Sequence, residues 1–223
     1  MSVNSNVSFS FVPYACVKLK SSFSSMSGHT LDARRRLQAV AMRQGGYFTA
    51  GQAREAGYSH QSQKYHADRG SWVRVDRGLF RLPDWPERAE DVYVRWRLWS
   101  RDLGVISHQS ALSLHRLGDT NPVLVHLTVP RRFRASDPAV ALHRGALPPA
   151  DVEEREPGFR LTTPERSLLD TAAAELTQDE LDSAIADAVQ EGLVMPRRLR
   201  ERSDEFGDLA ALRVERALSR LGR

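Results

Sequence analysis

The sequence predicts an α+β protein made of two parts, a small N-terminal head and a larger mixed α/β body. Three observations support this prediction. Residues 47–69 fit two short helices separated by a tight turn, residues 72–82 alternate apolar and polar side chains as a β-hairpin does, and strand-like runs between residues 123 and 161 give way to helices. The predicted boundaries are residues 1–30 for an N-terminal extension, 31–83 for the head and 84–223 for the body.

Capping signals define the two short helices of the head. Thr49 and Gln52 form the T-x-x-Q pattern of a capping box, which predicts a helix over residues 50–56 that ends at the following glycine. Ser59 is a favourable N-cap for a second helix, which runs to residue 69 and also stops at a glycine. Two helices joined by so short a turn form a helix-turn-helix unit.

An earlier helix, predicted over residues 33–44 with Asp32 as its N-cap, completes a three-helix core. Arg34, Arg35 and Arg36 load its first turn with positive charge, which opposes the helix dipole. We therefore expect these arginines to serve something other than helix stability, such as contact with phosphate groups.

The second short helix begins with a turn made almost entirely of hydrogen-bonding side chains. The side chains able to anchor it to a core are Tyr58, Tyr65 and Ala67. Helical spacing leaves four residues pointing outward near its N-terminus, namely His60, Gln61, Gln63 and Lys64. Gln can pair bidentately with adenine, and Lys can reach guanine acceptors or phosphate, so this end suits the major groove of DNA. An ordinary solvated surface helix is the alternative.

The hairpin that follows has a basic tip. Its turn is Asp76-Arg77-Gly78, and the alternation places Arg74, Arg77 and Arg81 on its exposed side or at its tip. A hairpin of this kind directly after a recognition helix is the wing of a winged helix-turn-helix, which contacts the sugar-phosphate backbone or the minor groove. A bare surface hairpin is the alternative.

Charge is distributed unevenly along the chain. The whole sequence has a net charge of +4, but residues 32–82 contain ten Lys or Arg and four Asp or Glu. The body is therefore slightly acidic. A basic head on an acidic body favours nucleic-acid binding by the head, because phosphate neutralisation supplies most of the non-specific affinity.

The body is predicted to contain strands at residues 123–129, 139–143 and 159–161, preceded by a helix that starts near Asp84 and by another that Ser107 caps. From Thr163 onward the chain is predicted to be helical, with a T-x-x-E capping box at residues 177–180. A basic loop between the first two strands, Arg131-Arg132-Phe133-Arg134, could extend a DNA footprint, although a solvated edge is the commoner use of such a cluster.

Composition argues against several other classes of protein. Cys16 is the only cysteine, so disulfides and cysteine-based zinc sites are not expected, and no apolar run has the length of a membrane span. We expect a cytoplasmic protein without a cofactor or a membrane partner. Lys64 is the last lysine and no Gly-rich phosphate loop is present, which disfavours phosphotransfer or nuclease chemistry. A metal cluster of His108, His115, His126 and His143 is conceivable, but the spacing does not favour it.

The first 28 residues alternate Val7, Phe9 and Phe11 within a serine-rich stretch. They fit a docking strand, a flexible tail or sequence upstream of a true start at Met26. No chemistry is expected of them.

Two stretches of the body, residues 106–130 (ISHQSALSLHRLGDTNPVLVHLTVP) and residues 161–172 (LTTPERSLLDTA), together with the predicted winged head, resemble the AbiEi-type antitoxins of toxin–antitoxin systems, and most closely the mycobacterial ones. The resemblance covers the chain from about residue 31 onward. It implies an autorepressor that binds inverted repeats ahead of its own operon and counteracts a nucleotidyltransferase-like toxin. It implies no catalytic residues.

The sequence therefore predicts a sequence-specific DNA-binding protein, binding double-stranded DNA as a homodimer. The residues expected at its DNA interface are Thr49, Ser59, His60, Gln61, Gln63, Lys64, Arg74, Arg77, Arg131, Arg132 and Arg134. The alternative is a protein-interaction module that neutralises a partner without binding DNA.

Overall fold

The computed structural model describes residues 23–174 and 177–222, and for residues 23–30 it describes the backbone alone. This part of the chain contains helices and two separate β-sheets, which confirms the predicted α+β class. The sequence patterns noted at Val7, Phe9 and Phe11 lie outside the described residues. No helix among the described residues is long and apolar enough to cross a membrane.

The head contains three helices and a three-stranded antiparallel sheet of strand order β1-β3-β2. Its elements are α1 (Phe23–Met42), β1 (Tyr47–Thr49), α2 (Ala50–Ala56), α3 (His60–Asp68), β2 (Val73–Asp76) and β3 (Leu79–Arg81). The predicted helices and hairpin of residues 47–82 are confirmed. Strand β1 is not predicted, because three residues are too short to show an alternating pattern.

Aromatic rings fill the core of the head. The ring of Phe48 lies 4.8 Å from that of Trp72 in an edge-to-face contact and 5.8 Å from that of Phe80, and Tyr58 lies 4.9 Å from Trp72. Leu37 and neighbouring small residues of α1 close this core from one side. Aromatic pairs at these distances add to the stabilisation that burial of their surface supplies.

The start of α1 differs from the prediction. The described helix begins at Phe23, so Asp32 lies within it and is not its N-cap. Asp32 resembles a cap in the sequence because it immediately precedes Ala33, an apolar position that packs inward. A capping residue type inside a helix remains compatible with the fold when its side chain is exposed, as that of Asp32 is.

The body contains a five-stranded mixed sheet of strand order β6-β5-β4-β8-β7 and six α-helices within the described residues. Its elements are α4 (Asp91–Trp99), β4 (Val105–Ile106), α5 (His108–His115), β5 (Val125–Val129), β6 (Val140–Arg144), β7 (Val152–Arg155), β8 (Phe159–Thr162), α6 (Pro164–Ala172), α7 (Gln178–Gln190), α8 (Pro196–Ser203) and α9 (Asp208–Arg220). Strands β5 and β6 are parallel, as are β4 and β8, and the other two pairs are antiparallel.

One predicted helix start in the body is wrong, and one predicted N-cap makes no capping bond with its side chain. The helix predicted to open near Asp84 begins at Asp91, because Pro86 biases the residue before it away from helical backbone angles. Ser107 precedes α5, but its side chain makes no capping hydrogen bond. Its hydroxyl instead accepts a hydrogen bond from Thr128 and lies 2.9 Å from Nδ1 of His108. The predicted caps at Thr163 and Thr177 are confirmed.

Two apolar cores stabilise the body. Leucine, isoleucine, valine and alanine side chains of α5 to α9 form one of them. The other lies between the sheet and α4, and it includes Tyr47 and Leu79 of the head together with Val94 and Phe159 of the body. Head and body therefore share buried surface across the predicted boundary at residues 83 and 84.

A close backbone contact reinforces this junction. Gly158, in the turn between β7 and β8, has a positive φ of 108°, and a Cβ atom there would lie 2.6 Å from the carbonyl oxygen of Arg43. Only glycine allows the body to approach the end of α1 so closely.

An ion-pair network joins α6, α8 and the 3-10 turn Pro149–Asp151 that precedes β7. The Arg166 guanidinium contacts Asp151 at 3.0 Å and Asp170 at 2.9 Å. Arg202 contacts the same Asp151 at 3.0 Å and Glu165 at 2.6 Å. Because Asp151 and Asp170 are buried, these arginines supply the charge that the two carboxylates need away from water.

Candidate nucleic-acid interface

The side chains predicted to cap α2 and α3 do so. The Thr49 hydroxyl accepts a hydrogen bond from the Gln52 amide at 3.2 Å, and the Gln52 side chain accepts one from the Thr49 amide at 2.9 Å, which completes the capping box. Gly57 ends α2 with a φ of 112°. The Ser59 hydroxyl accepts a hydrogen bond from the Ser62 amide at 3.1 Å, so α3 starts where the sequence predicts.

Three of the four residues predicted to point outward from α3 are exposed, namely His60, Gln61 and Lys64. The ammonium group of Lys64 contacts Asp68 one turn later at 2.6 Å, but both side chains are mostly in water. Such an exposed pair contributes little and opens readily, which leaves Lys64 available to an external anion.

The prediction that Gln63 points outward is wrong. Gln63 is only 3% exposed, and its Nε2 donates hydrogen bonds of 3.1 Å to the carbonyl oxygens of Ala50 and Tyr58. Ala50 lies in the first turn of α2 and Tyr58 in the turn between the two helices, so a single side-chain amide reaches both ends of α2. Gln63 therefore holds α3 against α2 from the inside.

The prediction that Tyr65 anchors α3 to the core is also wrong, because Tyr65 is 52% exposed. The guanidinium of Arg69 lies 4.9 Å from the centre of its ring. The inward positions of α3 are occupied by Gln63, His66 and Ala67. The ring of His66 stacks on that of Trp72 at 4.9 Å. Because the helix has few apolar residues, the sequence does not distinguish its inner face from its outer one.

The tip of the hairpin lies beside the start of α2. The backbone amide of Ala50 donates a 2.8 Å hydrogen bond to the carbonyl oxygen of Gly78, and the carbonyl of the same Ala50 accepts from Gln63. One residue of α2 is thus bonded to both the hairpin tip and the N-terminal half of α3. The turn that carries the exposed Arg77 is therefore linked to α3 through a single residue of α2.

The two other arginines of the hairpin differ from each other. Arg74 is exposed, with its guanidinium 5.7 Å from the centre of the Phe80 ring. The prediction that Arg81 is exposed is wrong, because its side chain is only 12% exposed and contacts Glu87 at 2.7 Å and Asp91 at 3.3 Å. Arg81 therefore ties the hairpin to the start of α4 and is not among the exposed basic residues of the hairpin.

The arginines of α1 also divide by role. The Arg36 guanidinium donates two hydrogen bonds, of 3.2 and 2.9 Å, to the carbonyl oxygen of Ala56 at the end of α2. Arg36 thus caps the C-terminus of α2. The phosphate contact expected from the sequence is therefore not the role of Arg36. Arg34 and Arg35 are exposed.

The basic loop of the body is attached to the core that head and body share. The Phe133 ring lies 5.5 Å from Trp99 of α4, and the Phe133 amide donates a 2.8 Å hydrogen bond to the carbonyl oxygen of Pro130. Arg131, Arg132 and Arg134 around it are exposed. This loop forms a second exposed cationic segment.

Three of the four histidines considered as a metal cluster come together. The rings of His108 and His143 stack at 3.4 Å, and Nδ1 of His126 lies 3.0 Å from Nε2 of His143. Burial and the neighbouring histidines lower the pKa of His108 to about 2 and that of His143 to about 4. Within residues 23–174 and 177–222 no group of His, Cys, Asp and Glu side chains has the arrangement of a metal site.

The fold and this surface define a class: an α+β protein whose helix-turn-helix head carries an exposed basic face. Residues 35–83 match the family model of AbiEi antitoxin transcriptional regulators. The resemblance inferred from the sequence is thus confirmed for these residues, and with it the assignment to DNA binding, transcription regulation and toxin–antitoxin systems. No curated protein matches the chain.

A solved structure gives an independent comparison for the fold. The chain is similar to the RV2827C protein from Mycobacterium tuberculosis, with a TM-score of 0.51 and 18% sequence identity over 85% of this chain and 81% of that one. At this level of identity the likeness concerns the fold alone. It extends beyond residues 35–83 and therefore includes much of the body.

Proposed function

We propose that this protein is a winged-helix repressor of the antitoxin type, which binds an inverted repeat in its own promoter and counteracts a nucleotidyltransferase-like toxin. The head, residues 31–83, is the DNA-binding unit, and the body, residues 84–223, is the part that meets the toxin. The match of residues 35–83 to antitoxin regulators supports the DNA-binding role.

One observation carries the DNA-binding proposal: Ala50 bonds the hairpin tip through its amide and Gln63 of α3 through its carbonyl. This junction links the turn that carries Arg77 to α3 through a single residue of α2. A recognition helix in the major groove with an arginine beside it at the adjacent backbone is the contact pattern of a winged helix on duplex DNA.

The exposed residues take different roles in this proposal. His60 and Gln61 meet base edges, since both present hydrogen-bonding groups at the start of α3. Lys64, Arg74 and Arg77 neutralise phosphates. The capping residues Thr49 and Ser59 fix the first turns of α2 and α3 beside the DNA, and Gln63 acts from inside the head. Arg131, Arg132 and Arg134 extend the footprint.

Two copies of the chain bind one operator. The outward face of α3 presents few side chains, and one short helix contacts too few base pairs for useful specificity. A dimer-like arrangement on an inverted repeat doubles the contacts, with half-sites about one helical turn of DNA apart.

The proposal is tested by fluorescence anisotropy with the DNA upstream of the gene. The double variant Arg74→Ala/Arg77→Ala is expected to weaken binding to all DNA and to lower the salt slope by about 0.9 for each phosphate that is no longer neutralised. The control is Arg197→Ala, because Arg197 is an exposed arginine on α8. It should change neither the affinity for DNA nor the salt slope. Unchanged affinity and slope in the double variant would remove the hairpin from the interface.

Base reading is tested separately with Gln61→Ala and His60→Ala. Each is expected to cost about 1–3 kcal/mol of discrimination between the operator and scrambled DNA, while the salt slope stays unchanged. A uniform loss of affinity for both DNAs would show that these side chains contact only the backbone.

Toxin neutralisation is tested by co-expression with the nucleotidyltransferase-like product expected from a neighbouring reading frame. The Arg74→Ala/Arg77→Ala variant is expected to lose promoter repression but still protect the cell. The full chain is the suitable material, because removing the head would expose the buried surface around Tyr47 and Leu79. Loss of protection in the folded double variant would contradict a separate role for the body.

A further inference from the structure

A groove of about 720 Å³ runs along α1 on the head, and it does not include the outward residues of α3. One wall is a single face of α1, with Arg34, Leu37, Gln38 and Met42. Leu82 to Trp85, after the hairpin, form the opposite wall, and aromatic side chains around Trp72 form the floor. This volume lies within the range of small-molecule sites.

Two nearly buried donors in this groove have no acceptor in the described part of the protein. Tyr58 is 8% exposed and Trp72 is 5% exposed. Both line the groove, and neither the Tyr58 hydroxyl nor the Trp72 indole N–H makes a hydrogen bond with a described residue. Both donor atoms reach water, and a ligand that brings an acceptor can take the place of that water.

A positive charge lies at the same place. Arg34 lines the groove, and it is close enough to Tyr58 to lower the pKa of that hydroxyl against the larger opposing effect of burial. Arg34 makes no hydrogen bond or ion pair with another described residue. A guanidinium beside two neutral donors is a binding site for a carboxylate, because all three groups donate and a carboxylate accepts.

The groove also has apolar surface, which lies beside the polar side chains of Gln38, His66 and Ser71. Trp85 offers an indole ring, and Met42 and Leu82 offer aliphatic surface, whereas Leu37 and Trp72 are almost fully buried by other residues of the head. An aromatic ring fits between such walls, since stacked and edge-to-face contacts add to the effect of burial. Asp84 also lines the groove and opposes an anion, but it is exposed and therefore screened by water.

We propose that this groove binds a planar aromatic carboxylic acid, with its carboxylate on Arg34 and Tyr58 and its ring against Trp85 and the exposed edge of Trp72. The site goes beyond DNA binding and does not depend on it, because the ligand and the DNA use different side chains. The ligand would nevertheless touch Tyr58 and Trp72, the residues on either side of α3.

The test is isothermal titration calorimetry of the full-length protein with indole-3-acetate, without DNA. Saturable one-to-one binding is expected, and tryptamine, the matched amine, should bind about tenfold more weakly or less. Equal affinity for the acid and the amine, tighter binding of the amine, or no saturable heat at millimolar indole-3-acetate would overturn the proposal.

Variants locate the binding. Arg34→Gln should reduce the affinity for indole-3-acetate by about tenfold, and Tyr58→Phe, which removes only the hydroxyl, by a smaller factor. Arg35→Gln changes an exposed arginine outside the groove and should leave the affinity unchanged. Circular dichroism checks that each variant is folded. Wild-type affinity in folded Arg34→Gln would place the ligand elsewhere and refute the assignment.

Discussion

The core of the head and the core of the C-terminal helices are built in different ways. The C-terminal core consists of leucine, isoleucine, valine and alanine side chains from α5 to α9. The head instead stacks aromatic rings and uses a buried amide, that of Gln63, where an apolar side chain would be usual. The comparison shows that apolar periodicity orients long helices, whereas short ones in the head depend on specific hydrogen bonds.

The largest expected effect concerns the ion network of the body. Arg166→Met keeps the length of the side chain but leaves the buried Asp170 without its cation. Removing one partner of a buried pair costs about 3–5 kcal/mol in the free energy of unfolding. The measurement is urea denaturation at pH 7.5, where the Asp170 carboxylate is ionised because burial raises its pKa only to about 6.

Arg197→Met is the matched control for that experiment, because its ion pair with Glu201 lies in water and contributes little. If Arg166→Met reduces the free energy of unfolding by less than about 1 kcal/mol, the network is not a structural requirement and the body depends on its aliphatic core alone.

The second prediction concerns the buried amide of the head. Gln63→Leu fills the same space but leaves the carbonyl groups of Ala50 and Tyr58 without this donor, at a cost of about 1–3 kcal/mol. It also releases α3 from α2, so we expect affinity for operator DNA to fall at temperatures where the variant is still folded. Anisotropy at low temperature alongside urea denaturation measures both quantities.

Gln61→Leu provides the comparison, because Gln61 has the same side chain two positions earlier and is exposed. It should leave the free energy of unfolding nearly unchanged while it alters base preference. A Gln63→Leu variant as stable as the wild type would contradict the role of Gln63 as an internal tether.

Sequence patterns predict the parts of the fold where local signals agree with one another. The caps at Thr49, Ser59 and Thr177 and the turn at Gly78 follow from residue types with a local mechanism, and the structure contains all four. Short strands such as β1 and β4 escape prediction because two or three residues carry no period.

The candidate site is harder to predict for a physical reason. Gln63 and Arg81 are polar, and polarity alone predicts that both are exposed. In the structure Gln63 hydrogen-bonds to Tyr58 and Arg81 contacts Asp91, and only the folded chain brings these partners near. The spacing of four residues between Gln63 and the partly buried Ala67 is a signal that Gln63 shares the inner face of α3. The DNA contacts of the exposed residues stay predictions.

A third effect, which is confined to acidic pH, concerns the buried histidines of the body. His108 and His143 have lowered pKa values in the folded protein, mainly because they are buried. As pH falls below about 6.5 the unfolded chain therefore binds protons first, and stability is lost down to about pH 4 for His143 and down to about pH 2 for His108, by up to about 1.4 kcal/mol per pH unit for each histidine. Asp170 opposes this loss, because its raised pKa lets the folded state take up a proton first below about pH 6.

The variant His143→Gln should flatten the acid side of the stability curve between about pH 6.5 and pH 4, since one of these histidines is gone. Thermal unfolding at several pH values gives the slope. His60→Gln, on the exposed surface of α3, is the control and should retain the wild-type slope. An unchanged slope in His143→Gln would mean that the cluster opens to water before it titrates.

The smallest expected effect returns to the surface of the head. Asp68→Ala removes the exposed partner of Lys64, and it should change the free energy of unfolding by less than about 1 kcal/mol. Because it removes a negative charge from the α3 surface and frees the ammonium group, affinity for DNA should rise modestly, most clearly at low salt. Glu201→Ala, which breaks a similarly exposed pair on α8, should leave DNA affinity unchanged. If both variants raise the affinity for DNA, the effect is one of net charge alone. If only Asp68→Ala raises it, the DNA lies at the face of α3 that carries Lys64.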